Sequence, residues 1–489
     1  MAPGRWVGKP PVMRQTRPPG PTVGHDDQEI DHPIEEEARV PASDPSAGER
    51  TGPAGDHGSP RALWQALDRH RPPGADAVTT GWRSPLRGPR LTSFYGLVLL
   101  VTLPLVIVTG LLDYAAYSPQ FGQAFPFDVG WLRLPPFDWP TRPAWLFQLT
   151  QGLHVGLGIV IVPVVLAKLW SVVPKLFDWP PARSVAQVLE RLSLLLLVGG
   201  ILFQIATGLL NTQYAYVFGF DFYTAHYFGA WVFTAALVVH VVLKLPRLVT
   251  ALRSRPPGAE LGTPRAATRP EPPDPDGLVP VRPGPPTVSR RGAVALVGGG
   301  SLLLAALTVG QHVDGPLRRT AWLLPRGQDP GDGPNGFQIN RSAAAAGIRP
   351  ADTGPGWRLT LRGGGRTVTL DRAGLLAMAQ HTARLPIACV EGWSTTQTWT
   401  GVRLRDLAAL AGVPDPAAAH VESLERAGLF RQATLQANQV RDPDSLLALR
   451  VNGADLSADH GFPARVIVPA LPGVHCTKWV ASIEFRADG

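Results

Sequence analysis

Cysteine is almost missing from this chain: there are two in 489 residues, Cys389 and Cys476. Two cysteines build neither a disulfide scaffold nor a paired CxxC site for zinc or an iron–sulfur cluster. Charge is scarce as well, at 17% of residues against ~25% in an ordinary soluble domain. Residues 1–90 lack any sustained apolar period; they run through PPVMRQTRPPGP and DDQEIDHPIEEEAR, and such composition cannot offset chain entropy by burial. A disordered tail is expected there. Glycine and proline are abundant instead, 52 and 51 residues. With a net charge of +8 and a mean hydropathy near zero, the chain reads as an average over unlike regions. A single soluble globule is excluded.

Long apolar runs are present. Four stretches, near 93–112, 146–169, 192–210 and 225–245, each supply the ~20 mostly apolar residues that span a bilayer core as helix. They define an expected membrane bundle over 91–250. Pro104 and Pro163 inside them are tolerable where neighbouring helices cover the freed carbonyls. A linker over 251–290 with eleven prolines in RPPGAELGTPRAATRPEPPDPDGLVPVRPGPP should be extended. A fifth apolar stretch then falls within 291–312, directly after Ser289-Arg290-Arg291. Paired arginines before a Gly/Ala-rich helix resemble a twin-arginine export signal, although they also serve any positive-inside anchor.

Loop charges order these spans. Arg83, Arg87 and Arg90 precede the first, Lys168, Lys175, Arg183 and Arg191 crowd the loop after the second, and Lys244, Arg247, Arg253 and Arg255 follow the fourth. The other two loops are poor in base. The positive-inside rule therefore puts the N-terminus and linker in the cytoplasm and carries the chain after the fifth helix outside. Cell-membrane lipid is an expected partner, and nucleic acid is not. Residues 335–489 change character: short alternating runs such as WRLTL, TVTL and ARVIVPA, separated by Gly/Pro turns, with a helical LRDLAALAGV. The expected fold is an all-α membrane bundle of four helices plus an anchoring fifth, followed by an α+β domain.

Ionisable residues inside spanning helices are expensive and mark function by default. His154 near the start of the second stretch and His226 at the start of the fourth lie at similar depth, and neutral imidazoles from facing helices suit the two axial positions of a b-type haem. Gly152, Gly156 and Gly158, with Gly199, Gly200 and Gly208 opposite, would leave room for a flat macrocycle. His240 lies fourteen residues after His226, ~21 Å deeper on the same face. Its counterpart fourteen after His154 is Lys168. Three roles stay open for His240: a second haem with another ligand, a propionate or quinone contact, or none beside a single haem. This region resembles the membrane cytochrome b family of four-helix haem proteins, which pass electrons between quinone and an enzyme domain.

Around the first cysteine the chain reads Ala388-Cys389-Val390-Glu391-Gly392-Trp393-Ser394, then Trp399-Thr400-Gly401-Val402 and Leu404-Arg405-Asp406-Leu407. This run, with Val421-Glu422-Ser423-Leu424, His460 to Pro469, and Lys478-Trp479, resembles the sulfite oxidase-type molybdopterin domain, especially bacterial periplasmic oxidoreductases that reduce S-oxides. The resemblance implies that the Cys389 thiolate ligates molybdenum and is the catalytic residue. A soft thiolate suits that metal, and the pterin dithiolene supplies the other sulfurs. It implies cofactor contacts at Asn335, Ser423, His460, Arg465, Cys476, Thr477 and Lys478, the last near a phosphate. His460 stands where that family often has asparagine, the loop PALPGVHCTKW lacks a frequent aromatic before its glycine, and the immunoglobulin-like dimerisation module of true sulfite oxidases does not follow. A Cys389–Cys476 disulfide is the alternative for the two thiols.

The favoured expectation is a membrane molybdopterin oxidoreductase that couples oxygen-atom transfer on a small extracytoplasmic sulfur or nitrogen compound to the quinone pool through haem b. The alternatives are a haem electron carrier with a cofactor-free, partner-binding tail domain, and a polytopic anchor without redox function.

Overall fold

The computed structural model describes residues 81–117, 138–177, 179, 184–213, 217–220, 222–254, 262–274, 276–323, 330–428 and 431–488. Of the tail expected over 1–90, residues 1–80 lie outside the described residues. Residues 81–88 do not behave as tail. Leu86 and Arg87 are both 2% exposed, and Arg87 donates to the Ser171 and Trp82 carbonyls while the Trp82 indole donates to the Trp170 carbonyl. Trp82 and Leu86 give this segment apolar surface to bury.

Among the described residues, six α-helices lie in the N-terminal part: α1 (Pro89–Tyr117), α2 (Leu146–Val160), α3 (Val162–Leu176), α4 (Val185–Thr212), α5 (Phe222–Arg253) and α6 (Arg290–Thr308). Four helices are long and apolar enough to cross a membrane, or five if the bent pair α2–α3 counts as one span. The break falls at Ile161 with a 40° bend, because Pro163 has no N–H for the Ile159 carbonyl. Ser184 and Ser289 cap α4 and α6 by accepting from the Gln187 and Gly292 N–H groups. Large apolar side chains such as Val101, Val108, Leu195 and Val242 face outward, which a helix in water would not sustain.

The linker is less extended than its prolines suggest. Arg83 donates to the Arg282 carbonyl, Gly284 N–H to the Arg83 carbonyl, and Arg290 to the Arg269 carbonyl, so residues 262–289 fold back on one end of the helices.

The C-terminal part holds ten strands: β1 (Leu359–Gly363), β2 (Arg366–Leu370), β3 (His381–Ala388), β4 (Ser394–Arg403), β5 (Ala418–Ser423), β6 (Gln432–Gln436), β7 (Leu446–Val451), β8 (Ala454–Asp455), β9 (Arg465–Ile467) and β10 (Val480–Arg486). One sheet runs β2-β1-β10-β5-β6 and the other β3-β4-β7-β8, with β9 on β7. Only the β1–β10 pairing is parallel among the described strands. Short helices α7 (Arg372–Ala377), α8 (Leu404–Leu410) and α9 (Ala437–Arg441) cover them. Alternation works as period 2 demands: Ala383, Leu385 and Ile387 of β3 point into the core beside Trp399.

Candidate functional site

Cys389 opens a five-residue hairpin loop between β3 and β4, whose register closes at Ala388 opposite Ser394. The loop is tied by Cys389 N–H to the Trp393 carbonyl at 2.9 Å and Gly392 N–H to the Cys389 carbonyl at 3.0 Å. Gly392 sits at φ +92°, a conformation that glycine adopts freely. Beneath it passes the 470–478 loop, held by Gly473 N–H on the Ala388 carbonyl at 2.7 Å. Both cysteines are buried free thiols, so the disulfide is not formed.

The polar residues expected near the cofactor gather around this crossing. Arg465 is buried; it donates to the Cys476 and His460 carbonyls and lies over the Trp399 ring. Burial pulls its guanidinium down to about 10, against the nearby thiols. Burial, then Arg465, brings Lys478 down to about 7; its ammonium donates to the Arg341 and Asp459 carbonyls. His460 stacks on Phe337 at 3.6 Å, places Nε2 3.0 Å from the Asn335 carbonyl, and is held neutral by burial, down to about 3. Asn335 and Ser423 act as braces here. The Asn335 amide bonds the Asp455 carbonyl and Ser457 N–H, and the Ser423 hydroxyl donates to the Lys478 carbonyl. Burial raises Glu391 to about 8, opposed by a 2.7 Å bond from the Trp393 indole.

A polar cofactor needs partners, and Thr477 Oγ1, a buried atom without one among the described residues, lies on this loop beside the buried His475 ring. No group of three or more His, Cys, Asp or Glu suited to a metal occurs among the described residues. A metal at Cys389 must therefore bring most of its own ligands, and a dithiolene cofactor does so. The residues fit that group.

The hairpin loop rests on the helices. Gln148 donates to Ser394 Oγ at 3.0 Å and Gln151 to the Val390 carbonyl at 3.1 Å; a Cβ on Gly392 would stand 2.8 Å from Val155 Cγ1. Val390, next to Cys389, also lines a cavity of about 250 Å³ between α1, α2, α4 and α5 that contains His154 and His226. Their ring centroids are 6.1 Å apart. His154 Nδ1 lies 2.9 Å from the Val106 carbonyl, which only accepts, so Nδ1 carries the proton. His226 Nδ1 lies 2.8 Å from Thr207 Oγ1, whose own hydrogen goes to the Phe203 carbonyl at 2.7 Å; Nδ1 is again the donor. Each ring thus keeps a lone pair on Nε2.

Of the glycines expected to leave room, Gly158 and Gly208 line this cavity. Gly152 and Gly156 make room for His312, which follows α6, while Gly158 and Gly199 meet nothing within 4 Å. Gly208 borders His226, and on α1 Gly110 lets the His154 ring approach so closely that a Cβ would lie 2.6 Å from Cε1. His240 is not brought to this cavity; it lines a second one with Lys168. Sequence reading missed Gln148, Gln151, His312, His475 and Asp113. Asp113 is 5% exposed and lines the histidine cavity. Its position inside an apolar run was the available signal.

Residues 346–488 match the family model described as the oxidoreductase molybdopterin binding domain. Sulfite oxidase of Arabidopsis thaliana is 34% identical over 116 residues, 20% of this chain and 29% of that protein. Nitrate reductase [NAD(P)H] of Hordeum vulgare is 40% identical over 101 residues, 19% of this chain and 11% of that one. The uncharacterized oxidoreductase YuiH of Bacillus subtilis is 34% identical over 113 residues, 23% of this chain and 56% of that protein. The chain therefore spans less than two thirds of each of these relatives. Residues 346–488 are thus similar to molybdopterin-binding domains of the oxidoreductase type.

Proposed function

We propose that the chain is a membrane-bound, molybdenum-dependent oxidoreductase that exchanges electrons between an extracytoplasmic small sulfur or nitrogen compound and the quinone pool, through a b-type haem held by His154 and His226. The observation that carries this is Val390. It adjoins the Cys389 thiol and at the same time lines the histidine cavity, with its carbonyl held by Gln151 of α2. Two redox sites that meet at one residue need no diffusing carrier between them.

When bound, the molybdenum–pterin group supplies two-electron oxygen-atom transfer and the haem supplies single-electron relay. The chain's own residues do the rest. Cys389 offers one thiolate from a loop fixed at both ends. Lys478 and Arg465 offer cations to an anionic phosphate, and an anion beside Lys478 would restore the protonation that burial costs it. Thr477 and His475 offer polar edges to a pterin. His154 and His226 would present Nε2 to a haem from rings fixed by Val106 and Thr207, with their centroids 6.1 Å apart.

The test is metal and pigment analysis of the purified full chain, followed by stopped-flow optics. Molybdenum near one per chain, with haem that is oxidised or reduced on adding an S-oxide, N-oxide or sulfite, is the expected result. Haem without molybdenum favours the electron carrier, and molybdenum without haem removes the relay.

A further inference from the structure

Two segments outside the apolar helices carry exposed aromatic and aliphatic side chains, at the end of the bundle that bears the C-terminal domain. The first joins α4 to α5 and turns Val217, Phe218 and Phe220 outward. The second follows α6 and turns Leu317, Trp322 and Leu323 outward, with Trp322 69% exposed. Single apolar residues on a surface need no explanation, but a joined patch does. These two are joined, because the Gln213 amide at the end of α4 donates to the Leu323 carbonyl.

Both segments turn back along the helices instead of rising into the domain. After α6 the chain makes two 3-10 turns, Val309–Gln311 and Pro316–Thr320, pressed so close that a Cβ on Gly310 would collide with the Leu317 carbonyl. Leu323 N–H then reaches the Leu307 carbonyl of α6 at 3.5 Å. Trp322 and Leu323 thus stand level with the last turn of α6, where Leu302 and Leu303 just below also face outward. In the other segment Phe218 and Phe220 stack at 5.4 Å, and the Phe220 ring lies 6.4 Å from that of Phe203. Phe203 precedes the end of α4 by ~14 Å of helix. The polar side chains of 309–323 point the other way. Arg318 donates to the Ser394 carbonyl at 2.7 Å, and Asp314 accepts from the Thr395 hydroxyl at 2.7 Å and the Thr396 N–H at 2.9 Å.

We propose that residues 217–220 and 316–323 form an interfacial anchor that lies in the outer leaflet, at the boundary between headgroups and acyl chains. The partner is a lipid surface, and three observations select it. The patch continues the outward apolar faces of α4 and α6. Its residue types suit that boundary: rings on the apolar side, a Trp322 indole N–H already satisfied by the Arg319 carbonyl, and an exposed Arg319 whose guanidinium can reach lipid phosphate. A soluble partner would have to enter the leaflet to meet a ring at the level of Phe203. The inference rests on the reading of the helices as a membrane bundle and goes further, since neither segment belongs to a span. Asp314 and Arg318 make the same anchor the support of Ser394–Thr396, so it fixes the height of the β3–β4 hairpin over the bilayer.

The test puts a single nitroxide on Val217→Cys or Trp322→Cys in the full chain, held in nanodiscs of phosphatidylcholine and phosphatidylglycerol; the native thiols Cys389 and Cys476 are buried. Power saturation compares collisions with oxygen, which concentrates among acyl chains, and with a nickel chelate, which stays in water. Both labels are expected to favour oxygen, at ~5–10 Å into the boundary of headgroups and acyl chains. Leu195→Cys, outward on α4, and Arg384→Cys, exposed on β3, are the lipid and water references. A label at either position that favours the chelate overturns the anchor. So does a label that neither reagent reaches, which would show protein covering the patch. If Leu195→Cys also favours the chelate, the membrane reading itself has failed; if it favours oxygen, only the anchor has.

Discussion

At the scale of single residues, thiol and cations have separable jobs. Cys389→Ser replaces a soft thiolate by a hydroxyl that stays protonated near neutral pH, so turnover should vanish while molybdenum, still held through the pterin, is retained. Lys478→Ala and Arg465→Ala should instead deplete molybdenum, since each charge-assisted bond to a phosphate is worth ~1.5–3 kcal/mol. Full activity in Cys389→Ser would end the ligand assignment. The buried histidines make a second prediction. His312, His460 and His475 are held down by burial to about 4, 3 and 3. In the unfolded chain they take a proton near 6.5, so between 6.5 and 4 the unfolded state binds more protons and stability falls as pH falls. Glu391 opposes this with one proton, because its folded carboxyl stays protonated up to about 8. The balance still favours acid loss, by ~1.4 kcal/mol per pH unit for each net proton. A Tm profile that stays flat from pH 6.5 to 4 would contradict it.

At the scale of elements, the contact between the β3–β4 hairpin and α2 decides how the sites meet. Gly392→Ala has two costs: a positive φ, and a Cβ against Val155. It should slow electron passage between the sites while leaving haem and molybdenum contents intact; an unchanged rate would show that the loop does not set the spacing. The segment 138–145 adds two further ties of unequal weight. Arg142 pairs with Asp442 and Asp444, but its side chain is 54% exposed, and removing it should cost under ~1 kcal/mol. Trp139 is 1% exposed and its indole donates to the Ala470 carbonyl, so Trp139→Ala should cost ~3–5 kcal/mol in thermal denaturation. Elements such as these divide what was legible. The apolar runs and the CVEGWS motif are local in sequence, and hydropathy or spacing shows them. The Gln148–Ser394 bond joins residues far apart in the chain, and no periodicity marks it. The bend at Ile161 was half legible, since Pro163 announces a missing donor but not the direction of the turn.

At the scale of the whole molecule, the structure gathers the bases at one end and the enzyme domain at the other. Arg83 and Arg90 meet the folded-back linker and Arg87 bonds the Trp82 and Ser171 carbonyls, while the C-terminal domain sits on the ends of α1 and α2 near Tyr117 and Gln148. By the positive-inside rule a phosphatase fused after residue 489 should be active, and one active only in the cytoplasm would reverse the topology. The export route is a finer question, and the two arginines do not test it equally. Arg290 is 7% exposed and donates to the Arg269 carbonyl, so a lysine there loses a structural bond whichever route is used. Arg291 is exposed. Arg291→Lys preserves charge and disturbs no packing, so it isolates recognition of the pair from the folding of the linker. If the folded domain travels by a twin-arginine route, that single swap should strand it in the cytoplasm with its molybdenum bound. If the pair is only an anchor, phosphatase activity should be unchanged, because a lysine holds the inner side as well as an arginine does.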